Sequence, residues 1–216
     1  MTETMLSMIA KTFPLTELSC EEYAKLKVSG MHFSIRRFSA EGLGSVSVMV
    51  AKGFFGLMKM DTLIITPTAV DIPLFSYDRV HAMGNDTLIF ELYDTLLENT
   101  DLSPLEEVKT KAAYLPDHDL GAHWYDAIKL PVSLSKKGKK SHSADFDTTA
   151  IHYLAQYLAV AKTAPTADAA PKREKAAVYV EGLLKNGGPS TDVFKKGIGP
   201  EKTAQLFRKY LFATEA

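Results

Sequence analysis

The chain has 216 residues, of which 46% are hydrophobic and 24% are charged, and its formal net charge is −1. This composition is typical of a folded globular protein. It argues against a disordered or fibrous chain, and against a molecule whose overall charge attracts nucleic acid. The single cysteine, Cys20, excludes an intrachain disulfide, a cysteine-ligated iron–sulfur cluster and a cysteine-rich zinc site.

The amino-terminal residues 1–5 lack the basic region and the long apolar core of a secretory signal. No apolar run in the sequence approaches the length that is needed to cross a bilayer. We therefore expect a soluble, cytoplasmic protein with no membrane partner.

Two short helices are predicted before the first strand. Residues 5–13 form one of them. Ser19 is a helix cap with Glu22 three residues later, so a second helix is expected to continue to about Val28 and to stop before Gly30.

Strands are predicted from about residue 31 to residue 97. Residues 45–50 alternate apolar and polar side chains, as a half-buried strand does, and residues 54–66 are predicted to form one long strand. Residues 79–83 and 87–94 flank Gly84-Asn85-Asp86, which predicts a hairpin because glycine and asparagine tolerate positive φ. Such short links favour an antiparallel meander.

The carboxyl-terminal half is predicted to be mainly helical. Ser103 caps a helix that has proline at its first position. The further predicted elements are a strand at 128–134, a basic loop at 136–140, and helices at 145–162, 172–184 and 201–210. Helix, then consecutive strands, then helices indicates an α+β fold. Because the early strands need the late helices as cover, residues 1–216 are expected to form a single domain.

A segment with two acids and a proline, residues 71–78, interrupts the strands. Because Pro67 and Pro73 cannot lie in the middle of a central strand, the segment is expected to be a rigid connection that places Asp78 at the start of the next strand. A carboxylate beside Phe75 and Tyr77 is open to desolvation, which raises its pKa and makes it a proton donor near neutral pH. The alternative is an ordinary polar strand start.

Other chemical motifs are weak. No G-x-G-x-x-G follows a strand, and no Walker loop is present. Residues 117–119 with His123 contain suitable metal ligands but no helical pair of histidines, so no metal site is expected. Ser190 and Thr191 fit a helix cap better than a nucleophile.

The order of strand, Pro67, Asp71, Pro73-Leu74-Phe75 and Asp78 resembles the ferredoxin-dependent bilin reductase family. Residues 192–199, 201–203 and 210–212 resemble the closing helices and the terminal Leu-Phe of that family. The resemblance covers the chain from about residue 30 onward. The related red chlorophyll catabolite reductases share the fold and match almost as well.

This resemblance implies a three-layer α/β/α sandwich with a central antiparallel sheet flanked by helices. It implies a reductase of open-chain tetrapyrroles such as biliverdin, with no permanently bound cofactor. Ferredoxin would deliver electrons one at a time, the bilin would carry the radical, and pocket carboxylates would supply protons. The basic loop 136–140, with Lys195 and Lys196, would dock an acidic ferredoxin or lie free in solvent.

The resemblance also implies roles for particular residues. Asp78 corresponds to the central proton-donating aspartate of the family, and Asp94 resembles the acid that ends the strand after the proline motif. The second sheet position falls at Asp61 or Thr62, with Asp61 as a second proton carrier. A glutamate used for four-electron reduction would fall near residues 49 and 50 and is absent.

The substrate-binding residues implied by the resemblance are Phe75, Thr62, Asn186 and Lys136. Asn186 would lie on the wall formed by helices, and Lys136 would replace an arginine that binds the propionates. Two alternatives stay open: a non-catalytic tetrapyrrole-binding protein on the same fold, and an unrelated α+β interaction domain.

Overall fold

The computed structural model describes residues 1–215, and the side chain of Pro189 is left undescribed. Its centre is an antiparallel sheet of eight strands, in the spatial order β1-β3-β4-β5-β6-β7-β8, with β2 beside β1 on the outer edge of β3. The strands are β1 (Leu15–Leu18), β2 (Lys25–Val28), β3 (Met31–Ala40), β4 (Gly44–Gly53), β5 (Met58–Pro67), β6 (Leu74–Ala82), β7 (Asn85–Tyr93) and β8 (Leu134–Lys139).

Helices cover both faces of the sheet, so the predicted three-layer α+β sandwich is confirmed. One face packs against α1 (Thr2–Ala10), α2 (Ser103–Lys111) and α3 (Ser143–Thr163). The other face packs against α4 (Ala169–Asn186), α5 (Pro189–Ile198), α6 (Pro200–Gln205) and a π-helical turn, Leu206–Leu211. None of the described helices is long and apolar enough to span a bilayer.

Strand alternation divides the buried side chains between the two faces. On β6, Phe75 and Tyr77 belong to the core under α3, whereas Leu74 belongs to the core under α4. On β5, Leu63 and Ile64 divide in the same way. Because successive side chains of a strand point to opposite faces, a shift of one residue moves a side chain from one core to the other.

The helix predicted from Ser19 to Val28 is wrong. A single 3₁₀ turn, Glu21–Ala24, is followed at once by strand β2. β2 forms a hairpin with β3 through Ser29 and Gly30, which have φ values of 51° and 78°. Both residues of this tight turn adopt positive φ, which matches the right-handed twist of the strands and favours the hairpin over the helix.

The strand predicted at 128–134 and the basic loop at 136–140 are also wrong. Strand β8 begins at Leu134 and includes most of the lysine-rich run, which pairs with β7. β8 is an edge strand, and lysine side chains on an edge strand disfavour pairing with another sheet. The lysine-rich composition, which predicted a loop, is therefore explained by the position of β8 at the edge of the sheet.

The proline-containing segment is a rigid connection, but it ends earlier than predicted. β5 ends at Pro67 and β6 begins at Leu74, directly after Pro73. Asp78 therefore lies in the middle of β6 and not at its start. A central position fixes the side chain between two neighbouring strands.

Candidate active site

A cavity of about 220 Å³ lies between the sheet and the layer formed by α4, α5 and the carboxyl-terminal residues. Its floor consists of side chains from four adjacent strands that point to the same face. These are Met49, Met60, Thr62, Ile64, Ser76, Asp78, Val80, Ile89 and Glu91. The floor is mainly apolar, with two carboxyl groups and two hydroxyls.

Asp78 lies at the centre of this floor. Its Cα is opposite Thr62 on β5 and opposite Ile89 on β7. Burial raises the pKa of the Asp78 carboxyl to about 6; a hydrogen bond donated by the Thr62 hydroxyl opposes this, and the nearby charge of Glu91 adds to it. The Asp78 carboxyl can therefore hold a proton close to neutral pH and give it to a bound molecule.

Glu91 is the second carboxyl group on the floor, and sequence reasoning did not identify it. It lies opposite Ser76 and accepts a hydrogen bond of 2.6 Å from the Tyr93 hydroxyl. Lys129 lies 3.8 Å from its other oxygen. The sequence did contain a signal for Glu91. It is an acid between the apolar residues 90 and 92, and it is two residues from Ile89, a spacing that places both side chains on the same face of the strand.

Aromatic side chains form one wall. The ring of Tyr179 on α4 stacks on that of Tyr93 with centroids 3.8 Å apart, and the His123 ring stacks on Tyr125 at 4.8 Å. Trp124 donates a hydrogen bond of 3.1 Å to the carbonyl of Gly187. A side chain at Gly182 would lie 2.1 Å from the Trp124 ring, so the glycine makes room for it. The loop that carries His123 to Tyr125 is thereby held against α4.

The remaining wall comes from residues far along the chain. Ser190 and Thr191, at the start of α5, bring hydroxyl groups to the cavity, and Leu183, Phe207, Leu211 and Phe212 complete the apolar cover. None of the described residues that line the cavity is a lysine or an arginine. No group of three or more His, Cys, Asp or Glu in the part of the chain that is described could hold a metal ion.

The structure brings Asp78 and Thr62 together in the cavity, but it places Asp61 and Phe75 elsewhere. Asp61 is buried on the opposite face of the sheet, where Lys59 donates to it at 2.7 Å. Phe75 packs against Tyr157 under α3, with ring centroids 4.7 Å apart. Both differ from the cavity residues by one position in a strand, which reverses the direction of the side chain. Asp61 cannot pass a proton to a molecule that is held beside Asp78.

Lys136 and Asn186 also lie outside the cavity. Lys136 is on the α2 side of the sheet, where it donates to Asp117 at 2.6 Å and to the Leu115 carbonyl at 3.1 Å. Asn186 is exposed at the end of α4 and does not line the cavity. Asp94 is exposed just after β7, where it accepts the Leu96 N–H. Lys136 therefore does not line the cavity that contains Asp78.

No protein-family model matches the chain, and no curated protein matches it. Among solved structures, the crystal structure of phytochromobilin synthase from tomato in complex with biliverdin is similar, with a TM-score of 0.80. The chain has the fold of phytochromobilin synthase. The similarity covers 99% of this chain and 82% of that chain at 15% sequence identity.

The similarity to phytochromobilin synthase confirms, at the level of the fold, the predicted resemblance to the ferredoxin-dependent bilin reductases. It also contradicts the hypothesis that the proline segment is a coincidence on an unrelated fold. At this identity the likeness extends to the fold and not to individual residues.

Proposed function

We propose that the protein is a reductase of an open-chain tetrapyrrole, with Asp78 as a proton donor. The observation that supports it is a carboxyl group with a pKa of about 6 at the centre of an apolar cavity, on a fold shared with a phytochromobilin synthase in complex with biliverdin. A flat, conjugated and largely apolar molecule suits a cavity with an apolar floor and an aromatic wall.

Reduction of one double bond of such a substrate consumes two electrons and two protons. Ferredoxin, or a similar small carrier of single electrons, would supply the electrons in two encounters. Asp78 would give one proton to the substrate, and solvent would supply the second proton and reprotonate Asp78. Glu91 is the second carboxyl of the same cavity. It is a diagonal neighbour of Asp78 across β6 and β7, and the Cα atoms of such a pair are about 7 Å apart.

The substrate would lie on the sheet with its reacting ring over Asp78. Tyr179 and Tyr125 would face its conjugated system. The hydroxyls of Ser76, Ser190 and Thr191 are available to its polar groups. Because none of the described residues that line the cavity is a lysine or an arginine, the propionates of a bilin would extend toward solvent.

An anaerobic absorbance series tests this function. The purified chain is mixed with biliverdin and then given ferredoxin with a reducing system. We expect a shifted pigment band that converts to a product of shorter conjugation. Asp78→Asn should keep the shifted band and lower the conversion rate by roughly 10²- to 10⁴-fold, because it removes general-acid catalysis and not the cavity.

Asp61→Asn is the matched control, since Asp61 lies on the other face of the sheet one strand away. Its conversion rate per folded molecule should stay within about threefold of that of the natural chain, a difference of less than about 1 kcal/mol. A stable shifted band without conversion in the natural chain would favour a non-catalytic tetrapyrrole-binding protein. The absence of any shift would contradict both functions.

A further inference from the structure

Two neighbouring turns at one end of the sheet expose large apolar side chains. The β4–β5 turn presents Phe54, Phe55 and Leu57, and the β6–β7 turn presents Met83. We refer to these four residues as the apolar tip. Phe55 is fully exposed, and Met83 is 87% exposed. The turns are adjacent, because the Met83 N–H donates to the Leu57 carbonyl at 3.4 Å.

The backbone of the apolar tip adopts conformations that are energetically unfavourable for its side chains. Phe54, Phe55 and Met83 have φ values of 51°, 55° and 52°. Bulky side chains disfavour this left-handed region, which in tight hairpins is normally occupied by asparagine, aspartate or glycine. Because Phe55 and Met83 are exposed, burial of their side chains does not compensate for these conformations.

A row of lysine and histidine residues crosses the sheet directly beside the apolar tip. Lys27, His32, Lys52, Lys59 and His81 are successive cross-strand partners from β2 to β6, so their side chains share one face. We refer to these five residues as the basic row.

The basic row continues into a groove and keeps free charge. The groove, of about 540 Å³, is lined by Lys25, Lys27, His32 and Lys52. Lys59 is paired with Asp61, and His81 lies 3.2 Å from Asp86. Lys27 and Lys52 are exposed and have no ion pair with any acidic residue that the structure describes. This end of the molecule is therefore basic although the whole chain has a net charge of −1.

We propose that this end of the sheet binds the surface of an anionic phospholipid membrane. The apolar tip inserts among the acyl chains near the headgroups, and the basic row contacts the lipid phosphates. Aromatic and aliphatic side chains beside lysines are the combination that binds interfaces, where burial of apolar area and attraction to anionic lipids add together.

The shape of the surface favours a membrane over a protein partner. Four side chains on two turns form a convex point, whereas a stable protein complex uses a patch of roughly 800 Å² per partner. The sequence predicted no membrane partner because no segment could span a bilayer, but binding at the surface needs no spanning segment.

The attachment would bring the cavity close to the lipid. Met60 on β5 and Val80 on β6 line the cavity and are three residues from Leu57 and Met83 in the adjoining turns, which is about 10 Å at the rise of a β-strand. The proposal does not depend on catalysis, because it rests on the tip and the basic row alone.

Vesicle co-sedimentation at low ionic strength tests the proposal. The full chain should bind vesicles that contain phosphatidylglycerol and bind phosphatidylcholine vesicles weakly. The double variant Phe55→Asn, Met83→Asn should bind the anionic vesicles about ten- to a hundredfold less tightly, since two exposed apolar side chains no longer insert. Lys27→Glu with Lys52→Glu should weaken binding about tenfold or more and reduce its dependence on salt.

The asparagine variant also separates lost binding from lost folding. Asparagine suits the left-handed backbone of both turns, so the Tm of the double variant should equal or exceed that of the natural chain. Val178→Ser, which removes an apolar side chain that is 64% exposed on α4, outside the apolar tip and the basic row, should leave vesicle binding unchanged.

Two results would overturn the proposal. One is the absence of sedimentation with anionic vesicles at low salt. The other is binding that is equal in the natural chain and in the asparagine variant. If either occurred while light scattering showed a concentration-dependent dimer that the asparagine variant lost, the tip would be an interface between two copies of the chain.

Discussion

At the scale of single residues, the Asp78 carboxyl is under opposing influences. Burial and the charge of Glu91 raise its pKa, whereas the hydrogen bond from Thr62 lowers it. The protonated form is the one that can donate. Thr62 therefore limits the pH range in which Asp78 acts as an acid, because its hydroxyl stabilises the carboxylate.

Thr62→Val should raise the pKa of Asp78 above about 6, by about one unit, because it removes a hydrogen bond to the charged form and keeps nearly the same shape. Asp78 then stays protonated to a higher pH, so the alkaline decline of the bilin conversion rate should move upward. Titration of the Asp78 carboxyl carbon by NMR in the ligand-free protein measures the pKa directly and requires no turnover.

Thr62→Ser provides the control, since it keeps the hydroxyl and should leave the pKa close to that of the natural chain. A Thr62→Val protein in which Asp78 titrates at or below its natural pKa would show that the hydroxyl does not stabilise the carboxylate.

The same pair of residues shows where sequence reasoning ends. The sequence suggested a proton donor at Asp78 from its apolar neighbours, and it left the second position open between Asp61 and Thr62. The choice depends on a register of one residue, and the local pattern of β5 contains apolar residues on both faces. Helices cover both sides of this strand, so alternation gives no indication of which side contains the cavity.

At the scale of elements, the proline segment connects β5 to the strand that carries Asp78, and it also forms a structural junction with α4. The Lys172 ammonium of α4 is fully buried and donates to Asp71 at 3.1 Å, to the Ile72 carbonyl at 2.8 Å and to the Thr95 carbonyl at 2.7 Å. Burial acts to raise the pKa of Asp71, but hydrogen bonds from the Leu97 and Glu98 N–H groups and from Lys172 outweigh it and lower the pKa. These contacts join α4, the segment before β6 and the segment after β7.

Lys172→Met should lower the free energy of unfolding by about 3 kcal/mol, because it leaves the Asp71 carboxylate buried without its partner. Lys175→Met, one turn of α4 away, removes an exposed lysine that donates to the Leu96 carbonyl and should cost about 0.5 kcal/mol or less. Urea unfolding of both variants measures the difference. Equal losses in the two variants would mean that the junction contributes little to stability.

The elements that the sequence predicted well are those with strong local signals. α2 begins at Ser103, one residue earlier than predicted and with Leu102 as its N-cap, and the apolar spacing of residues 145–162 falls within α3. β8 was missed because its stability comes from pairing with β7, while all of its residues after Leu134 are lysine, serine or glycine. A strand whose hydrogen-bonding partner is more than 40 residues away leaves no sufficient local pattern.

At the scale of the whole molecule, the order of the elements predicted an α+β fold and the family resemblance predicted its three layers, but neither predicted which side chains line the cavity. Helices at both ends of the chain with consecutive strands between them lead to a covered antiparallel sheet. The cavity needs Tyr179, Phe207 and Phe212 to meet side chains of β5 and β6 that lie about 100 residues or more earlier in the chain. Such contacts depend on how α4 to α6 pack, and a single sequence does not contain that geometry.

One sheet serves two cores, which predicts a single cooperative unit. Ile35 on β3 is buried in the core under α4 to α6, and Ile65 on β5 is buried in the core under α1 to α3. Ile35→Val and Ile65→Val remove the same methyl group from opposite faces, and each should lower the free energy of unfolding by about 1 kcal/mol.

Because the strands between the cores are shared, each variant should shift the whole unfolding transition. Trp124 fluorescence, which reports the cavity side, and far-ultraviolet circular dichroism, which reports all helices and strands, should therefore coincide in both variants. If Ile65→Val shifted the dichroism and left the Trp124 transition unchanged, the two faces would unfold separately, and residues 1–216 would not form one domain in the thermodynamic sense.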